Sequence, residues 1–217
     1  MSRLICIMGE SGSGKTTSMR NLNPETTYYI DCDKKELSWK GYKKQYNVEK
    51  GNYIKTDRKE KVLKLLHWLN GEFNKKGLKF KTAIIDTLNG IMIADEMRRS
   101  KEKNFDKWQD LAQSIYFIID FALTAREDLT VVFTAHTQTE RDENGYQFTR
   151  IKTNGKKLDK IVLESKFTTV LLAKAAGGKY LFETQARNST AKSPMGAFEE
   201  FEIENDIVKV IKALEEF

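Results

Sequence analysis

The stretch GESGSGKTT begins at Gly9, and its residue types and spacing are suited to holding a phosphate group. Four residues separate Gly9 from Gly14, which is followed by Lys15 and Thr16. Glycines let a loop adopt positive φ and turn its N–H groups toward a phosphate. A lysine at this place reaches the β and γ phosphates of ATP, and the hydroxyl after it ligates Mg²⁺. We therefore predict that Lys15 is catalytic and that ATP is bound by Gly9, Glu10, Ser11, Gly12, Ser13, Gly14, Lys15, Thr16 and Thr17.

The segment TAIIDT supplies a carboxylate for the metal ion. Asp86 ends an apolar run that is typical of a buried strand, where a carboxylate commonly supports Mg²⁺ beside a phosphate-binding loop. We therefore expect Thr16 and Asp86 to bind the metal and Asp86 to be catalytic. An aspartate that only caps the following helix is the alternative. Thr87 follows Asp86 in place of a glutamate, so the group that activates water must come from elsewhere.

Two further polar groups follow predicted strands and are candidates for a role in hydrolysis. Asp33, in YYIDCDKKEL, falls at the edge of the sheet where ligands bind in open α/β folds. It is the first candidate for the water-polarising acid, with Asp31, Glu36 and Glu10 as competitors. A solvated aspartate beside two lysines is an equal alternative. His136 directly follows TVVFTA and is predicted to sense the γ-phosphate, with a structural histidine as the alternative.

These groups require a sheet that brings several loops to one edge. Apolar and β-branched runs predict strands at 4–8, 28–31, 82–86 and 130–134. Helices are predicted at 16–22, 58–73 and 111–125. Strands that alternate with helices indicate an α/β fold with a mostly parallel central sheet flanked by helices.

The second half of the chain departs from this alternation. Asn144-Gly145 stands between polar-alternating arms and predicts a β-hairpin at about 137–157. The remaining predicted elements are a helix at 156–167, strands at 168–173 and 180–184 in an antiparallel tail, and a C-terminal helix at about 206–216. Because no linker-like segment interrupts the chain, we predict a single domain over 1–217.

Composition and the absence of long apolar runs indicate the size of the core and the expected cellular location. The 217 residues are 40% apolar, which is enough for a full core. No apolar run approaches the roughly 20 residues that span a bilayer, and no signal peptide opens the chain. A soluble, cytoplasmic protein without a membrane partner is therefore expected. Cys6 and Cys32 lack metal-ligand spacing and are predicted to be reduced core residues.

The distribution of charge favours an anionic partner. The net charge is +6, and two segments are strongly basic, RRSKEKNFDK at 98–107 and QFTRIKTNGKKLDK at 147–160. A solvated helix face accounts for charge runs of this kind more often than nucleic acid does. Net charge alone is therefore a weak indication of a nucleic-acid partner.

Five segments together resemble a known family. They are GESGSGKTT, IDCDKKEL, AIIDTLNG, AHTQTERDENG and ARNSTAKSP. The chain is similar to phage-encoded P-loop nucleotide-binding proteins with little more than an AAA/RecA core, some of which are single-strand annealing recombinases. The resemblance implies a single RecA-like P-loop NTPase domain with a β-hairpin insertion. It also implies a Mg²⁺-dependent, DNA-stimulated ATPase that acts on single-stranded DNA as a ring or filament of identical subunits, with a single-strand-binding protein as a candidate partner.

The resemblance also implies roles for particular residues. Asp33 takes the place of the family's catalytic glutamate, and His136 takes the place of its sensor. Arg187 and Lys192 are candidates to reach the γ-phosphate of a neighbouring subunit. The family's DNA-contacting loops fall on the hairpin at 137–157 and near 98–107, where the two basic segments lie. The candidate DNA contacts in these loops are Arg98, Arg99, Arg141, Arg150, Lys152, Lys156 and Lys157.

Two other classes of function stay open at the level of sequence. A small-molecule kinase would need a lid with convergent arginines, for which Arg141 and Arg150 are candidates. A nucleotide-dependent switch or loader would bind ATP without DNA-stimulated hydrolysis. An acid at Asp33 and a sensor at His136 suit attack by water better than attack by an organic acceptor.

Overall fold

The computed structural model describes residues 2–103, 106–153 and 162–216. The strands are Arg3–Gly9 (β1), Thr27–Asp31 (β2), Tyr53–Lys55 (β3), Thr82–Asp86 (β4), Thr130–Ala135 (β5), Thr137–Arg141 (β6), Gln147–Ile151 (β7), Thr169–Ala176 (β8), Lys179–Glu183 (β9) and Glu202–Glu204 (β10). The helices are Tyr42–Gln45 (α1), Lys59–Leu69 (α2), Leu88–Arg98 (α3), Asp106–Thr124 (α4) and Ile207–Glu215 (α5). Short 3₁₀ turns lie at Thr17–Met19, Lys75–Lys79 and Leu163–Lys166.

The central sheet has the strand order β10-β9-β8-β1-β5-β4-β2-β3. All neighbouring strands from β8 to β3 run parallel, whereas β9 and β10 are antiparallel to their neighbours. The prediction of a mixed α/β fold with a mostly parallel sheet is therefore confirmed. Because β5 separates β1 from β4, the loop after β1 and the carboxylate that ends β4 lie on either side of the same strand. The carboxyl ends of all three strands meet at one edge.

The two faces of the sheet pack against different elements. Side chains alternate along β1, so that Cys6 and Met8 face one core and Ile5 and Ile7 face the other. The first core is shared with α2, α3 and α4, and the second with α5 and the turn at Thr17–Met19. Cys6 and Cys32 are buried free thiols.

The segment after the glycine-rich loop departs from its prediction. Instead of a helix at 16–22, the chain forms only the 3₁₀ turn Thr17–Met19. Pro24 restricts the residue before it to extended conformations, so the available segment is too short for a cooperative helix. A helix dipole therefore contributes less to phosphate binding here than the sequence pattern indicates.

Other elements were not foreseen or lie partly outside the described residues. The strands β3 and β10 and the helices α1 and α3 have no counterpart among the predicted elements. Of the predicted helix at 156–167, residues 156–161 are outside the described part, and the remainder contains the turn Leu163–Lys166.

The strands β6 and β7 form an antiparallel pair of their own, with Asp142–Tyr146 as the connection. The outer edge of β7 is covered by another segment, because Thr149 N donates to Asn188 O at 2.8 Å and Thr190 N donates to Thr149 O at 2.9 Å. The hydroxyl of Tyr146 also reaches Arg187 O at 2.6 Å. The hairpin is thus packed against the chain rather than projecting from it. Among the described helices, none is long and apolar enough to cross a membrane.

Candidate functional site

The glycine-rich loop after β1 depends on close approaches that only glycine allows. A β-carbon on Gly9 would lie 2.5 Å from Ser13 Oγ and 2.7 Å from Ala173 O. Gly14 has a φ of +94°, and a β-carbon there would lie 2.7 Å from Tyr180 Cδ1. The loop is therefore shaped by its neighbours in β8 and β9 as well as by its own sequence.

Lys15 is held inside this loop. Its side chain is 6% exposed, and its Nζ donates to Gly9 O and Glu10 O at 2.8 Å each. Burial lowers the pKa of Lys15 to about 8, although the Asp86 carboxylate opposes the shift. A bound phosphate would offer this ammonium a stronger, charged acceptor than the two carbonyls.

The two residues predicted to hold the metal ion are in contact. Thr16 Oγ1 donates to Asp86 Oδ2 at 2.9 Å. The same oxygen accepts from the Tyr29 hydroxyl, and Asp86 Oδ1 accepts from the Thr134 hydroxyl. Asp86 is 2% exposed, so these three bonds fix its orientation. The peptide bond that joins Asp86 to Thr87 is cis.

This donor set fits Mg²⁺ bound together with a nucleotide. Mg²⁺ keeps several waters and takes only one or two protein ligands beside substrate phosphates. The described residues hold no group of three or more His, Cys, Asp or Glu side chains that would bind a metal alone. In the loop itself, the buried Ser13 hydroxyl has no hydrogen-bond partner in the described part of the chain. A hydroxyl in that state suits a ligand oxygen.

Asp33, the first of the four candidate acids, contacts two residues that line the phosphate cavity. Its Oδ1 accepts from Thr87 Oγ1 at 2.9 Å, and its Oδ2 accepts from Lys35 Nζ at 2.6 Å. Thr87, Lys35 and His136 line a cavity of about 240 Å³ together with the glycine-rich loop. A β-carbon on Gly90 would lie 2.6 Å from Asp33 Oδ1, so a glycine in α3 permits this approach.

The three competing acids have other partners. Asp31 is buried and accepts a hydrogen bond from the Tyr53 hydroxyl at 2.8 Å, and burial raises its pKa. Glu36 is exposed and pairs with Lys43. Glu10 accepts from Thr137 Oγ1 at 2.6 Å, at the first residue of β6. The assignment of Asp33 as the water-polarising acid stays a prediction.

His136 lies where β5 ends and borders the cavity. Burial lowers its pKa, and the charge of Lys15 lowers it further, so the imidazole is neutral at pH 7. A neutral imidazole can donate one hydrogen bond to a phosphate oxygen without adding a charge. Its role as a γ-phosphate sensor stays a prediction.

Asn89, in the first turn of α3, joins both ends of the hairpin to the site. Its Oδ1 accepts from His136 N at 2.7 Å, and its Nδ2 donates to Lys152 O at 2.9 Å. Lys152 N in turn donates to His136 O at 2.7 Å. Sequence reasoning missed Asn89, because its only local signal is a place three residues after Asp86.

The basic residues predicted to bind DNA are not all available for that role. Arg150 is buried between Glu140 and Glu164, at 3.2 and 3.8 Å, and its assignment as a DNA contact is wrong. Arg98 and Arg99 are also engaged in ion pairs within the chain. Lys152 is exposed.

Arg98 donates to Asp57 Oδ1 at 3.0 Å, and Arg99 pairs with Glu102 and Asp110. Carboxylates of the same chain therefore compensate both charges, and the assignment of Arg98 and Arg99 as DNA contacts stays a prediction. Arg141 is exposed at the end of β6, beside Gln147. The last two predicted contacts, Lys156 and Lys157, lie outside the described residues.

Arg187 and Lys192 lie away from the cavity of their own chain. The Arg187 guanidinium stands 4.2 Å from the centroid of the Phe201 ring. Lys192 exchanges backbone hydrogen bonds with Val170 at 2.8 Å. Their reach toward a neighbouring subunit stays a prediction.

The depressed pKa of Lys15 predicts that ATP affinity depends on pH. With a pKa of about 8, the free ammonium loses its proton above pH 8, whereas a bound phosphate holds the proton on. Binding above pH 8 therefore takes up a proton, and affinity should fall by up to about tenfold per pH unit. Calorimetric titrations with ATP between pH 7 and 10 measure this slope.

Lys15→Arg is the matched variant for this titration, because a guanidinium stays charged throughout the range. Its affinity can be lower overall, but we expect the slope above pH 8 to vanish. A wild-type profile that is flat from pH 7 to 10 would contradict a titrating Lys15.

The glycine-rich loop, the enclosed Lys15 and the Thr16–Asp86 pair define a P-loop nucleotide-binding domain. The family model described as "AAA domain" matches residues 1–195, and the chain belongs to this family. Membership indicates nucleotide binding and hydrolysis. No curated protein matches the chain.

Proposed function

We propose that the protein is a Mg²⁺-dependent ATPase of the RecA-like type that acts on single-stranded DNA in phage recombination or replication. Annealing or strand exchange is the proposed outcome, with identical subunits assembled on the strand. The observation that carries this proposal is the pair of bonds by which Asn89 ties both ends of the hairpin to the nucleotide site.

The nucleotide site supplies the groups that hydrolysis needs. Lys15 holds the β and γ phosphates, and Asp33 orients the attacking water from its position beside Thr87. The neutral His136 imidazole donates to a γ-phosphate oxygen. Mg²⁺, held through Thr16 and Asp86, neutralises charge on the phosphates when bound. Removal of the γ-phosphate therefore frees His136 from its proposed acceptor.

The hairpin is coupled to this site at both of its ends. His136 N and Lys152 O both hydrogen-bond to the Asn89 side chain, and the Thr137 hydroxyl donates a hydrogen bond to Glu10 of the loop. A shift of His136 toward a phosphate would therefore move the start of β6 relative to the end of β7. This gives a physical route from ATP turnover to the surface of the hairpin.

Single-stranded DNA, the proposed substrate, is a polyanion that matches the positive charge of that surface. Arg141 and Lys152 are exposed on or beside the hairpin arms, and the chain as a whole carries a net charge of +6. Phosphate contacts of this kind bind DNA without reading its sequence. In the proposed assembly, Arg187 and Lys192 of one subunit approach the γ-phosphate bound by the next.

This geometry disfavours the small-molecule kinase, because the two arginines that were candidates for its lid are placed elsewhere. Arg150 is buried against Glu140 and Glu164, and neither Arg141 nor Arg150 is among the described residues that line the phosphate cavity. A nucleotide-dependent switch or loader without DNA-stimulated turnover is the remaining alternative, and the same assays address it.

The decisive assay measures ATP turnover with and without single-stranded DNA, together with DNA binding over a series of salt concentrations. For the double variant Arg141→Ala, Lys152→Ala, we expect the slope of log affinity against log salt to fall by roughly 0.7 for each lost contact. Basal ATP affinity should stay near wild type, because neither side chain lines the cavity.

Lys75→Ala, Lys76→Ala is the matched control, since both lysines are exposed in the turn before β4, at the opposite edge of the sheet. Its salt slope should equal that of wild type. An unchanged slope in the Arg141, Lys152 variant would reject the hairpin as the DNA surface. An ATP turnover rate that is the same with and without DNA would favour a nucleotide-dependent switch. Formation of phosphorylated nucleosides would favour a small-molecule kinase.

A further inference from the structure

A groove of about 620 Å³ continues from the phosphate cavity, and the proposed function does not use it. Thr17 and Tyr180 line both spaces, so the groove opens directly beyond the phosphate-binding loop. Its far side is the segment that forms β10, with Glu202, Glu204 and Asn205. A nucleotide whose phosphates lie in the loop would extend its nucleoside into this space.

Asn205 is the unusual residue of the groove. It is 1% exposed, yet neither its side-chain nitrogen nor its side-chain oxygen has a hydrogen-bond partner within the described part of the chain. A buried amide without partners costs free energy, so it calls for an explanation. Its backbone is fixed, because Asn205 N donates to Tyr180 O at 3.3 Å and Asn205 O accepts from Arg20 NH1 at 2.7 Å.

The amide lies against the phosphate-binding loop, at the same glycine that the Tyr180 ring approaches. A β-carbon on Gly14 would lie 3.3 Å from Asn205 Nδ2 and 2.7 Å from Tyr180 Cδ1. Tyr180 is 47% exposed, so its ring can rotate toward solvent. That rotation would uncover the amide and present a flat aromatic face beside it.

We propose that this groove is the nucleobase subsite and that it selects adenine. The proposal rests on the proposed function, because it assigns the base of the nucleotide that the loop binds. Tyr180 stacks on the base, and the Asn205 amide pairs with the adenine edge. An amide offers one donor and one acceptor side by side, which matches N7 and the N6 amino group of adenine.

The charges of the groove agree with this orientation. Glu202 and Glu204 line it, and carboxylates disfavour phosphates there while accepting hydrogen bonds from amino or hydroxyl groups. The other cavity beside the loop, of about 440 Å³, offers less to a base. Two of its charged side chains already have partners, since Glu10 accepts from Thr137 and Lys174 pairs with Glu183. Ser13, whose hydroxyl has no hydrogen-bond partner among the described residues, belongs to the phosphate-binding loop itself.

The variant Asn205→Asp tests the pairing with almost no change of shape. A carboxylate has two acceptors and no donor, so it mismatches N7 of adenine and matches the N1–H and N2 amino group of guanine. We expect ATP affinity to fall by about tenfold and GTP affinity to rise, in line with the discrimination of a bidentate pair. Calorimetry with ATP, GTP and inorganic tripolyphosphate measures all three.

Binding of tripolyphosphate distinguishes a failure of the base subsite from a failure of the proposed function. The affinity for tripolyphosphate should not change in Asn205→Asp, because tripolyphosphate has no base. A general repulsion by the added negative charge would instead lower the affinity for all three ligands alike. Asn144→Asp, an equal change of charge in the exposed hairpin turn, is the control and should alter none of them. Equal losses for the three ligands, or no loss for ATP, would overturn the base subsite. If the wild type binds neither tripolyphosphate nor ATP, the proposed function fails instead.

Tyr180→Ala and Tyr180→Phe provide a second test that does not depend on Asn205. Loss of a stacked ring should weaken ATP by about fivefold or more, whereas phenylalanine keeps the ring and should bind like wild type. Tripolyphosphate should bind both variants equally. Unchanged ATP affinity in Tyr180→Ala would also overturn the subsite.

Discussion

Lys15→Ala is expected to lower ATP affinity by roughly 100-fold or more and to abolish hydrolysis. Truncating one partner of a buried charge pair costs about 2–5 kcal/mol, and Lys15 is the buried cation of the phosphate cavity. The measurement is calorimetric titration with ATP and Mg²⁺, followed by phosphate release.

The fold should survive this change. Burial depresses the pKa of Lys15, so the folded state gains no stability from its charge, and its side chain reaches only loop carbonyls. We expect the melting temperature to stay at or above that of wild type. Lys75→Ala removes an equal charge from an exposed site and should bind ATP normally. Wild-type ATP affinity in Lys15→Ala would reject the P-loop assignment.

Asp86→Asn is expected to separate nucleotide binding from turnover. The amide has the shape of the carboxylate. With its nitrogen in the place of Oδ1, the Thr134 hydroxyl can rotate to accept from it, while Thr16 and Tyr29 still donate to the remaining oxygen, so the local packing is kept. The negative charge beside the metal is lost. We expect Mg²⁺-dependent hydrolysis to fall by about 10- to 100-fold, as removal of a metal-supporting group commonly does.

The measurements for Asp86→Asn are ATP affinity without Mg²⁺, which should change little, and turnover over a series of Mg²⁺ concentrations. Excess Mg²⁺ should restore part of the activity if the lost charge acts on metal affinity. Glu49→Gln, which neutralises an exposed carboxylate, is the control. Normal turnover in Asp86→Asn would move the metal-supporting carboxylate to another residue.

The sequence was sufficient for the features that short segments encode. The strands β1, β4 and β5 are apolar runs bounded by polar residues, and a buried strand needs little else to be recognised. The spacing of Gly9, Gly14, Lys15 and Thr16 predicted the loop, since phosphate chemistry constrains those residue types directly. The contact of Thr16 with Asp86 followed from the rule that parallel strands end at one edge.

Reasoning from local runs failed where a partner comes from elsewhere in the chain. Arg150 reads as part of a basic segment, but Glu164 lies on a separate turn and neutralises it. Arg98 is likewise paired with Asp57, more than one element away. A run of charged residues shows only which charges are neighbours in the sequence. The ionic partners of a residue depend on how distant segments pack together.

By itself the sequence determined the class of fold, the phosphate-binding loop and the position of Asp86 beside that loop. The tertiary structure alone decided that Asn89 joins the two ends of the hairpin and that Asn205 and Tyr180 both lie against Gly14. Such contacts join residues far apart in the chain, because the strand order places β8 and β9 beside β1. Hydrophobic periodicity sets which face of an element is buried, but it carries no information about which distant side chain will meet it.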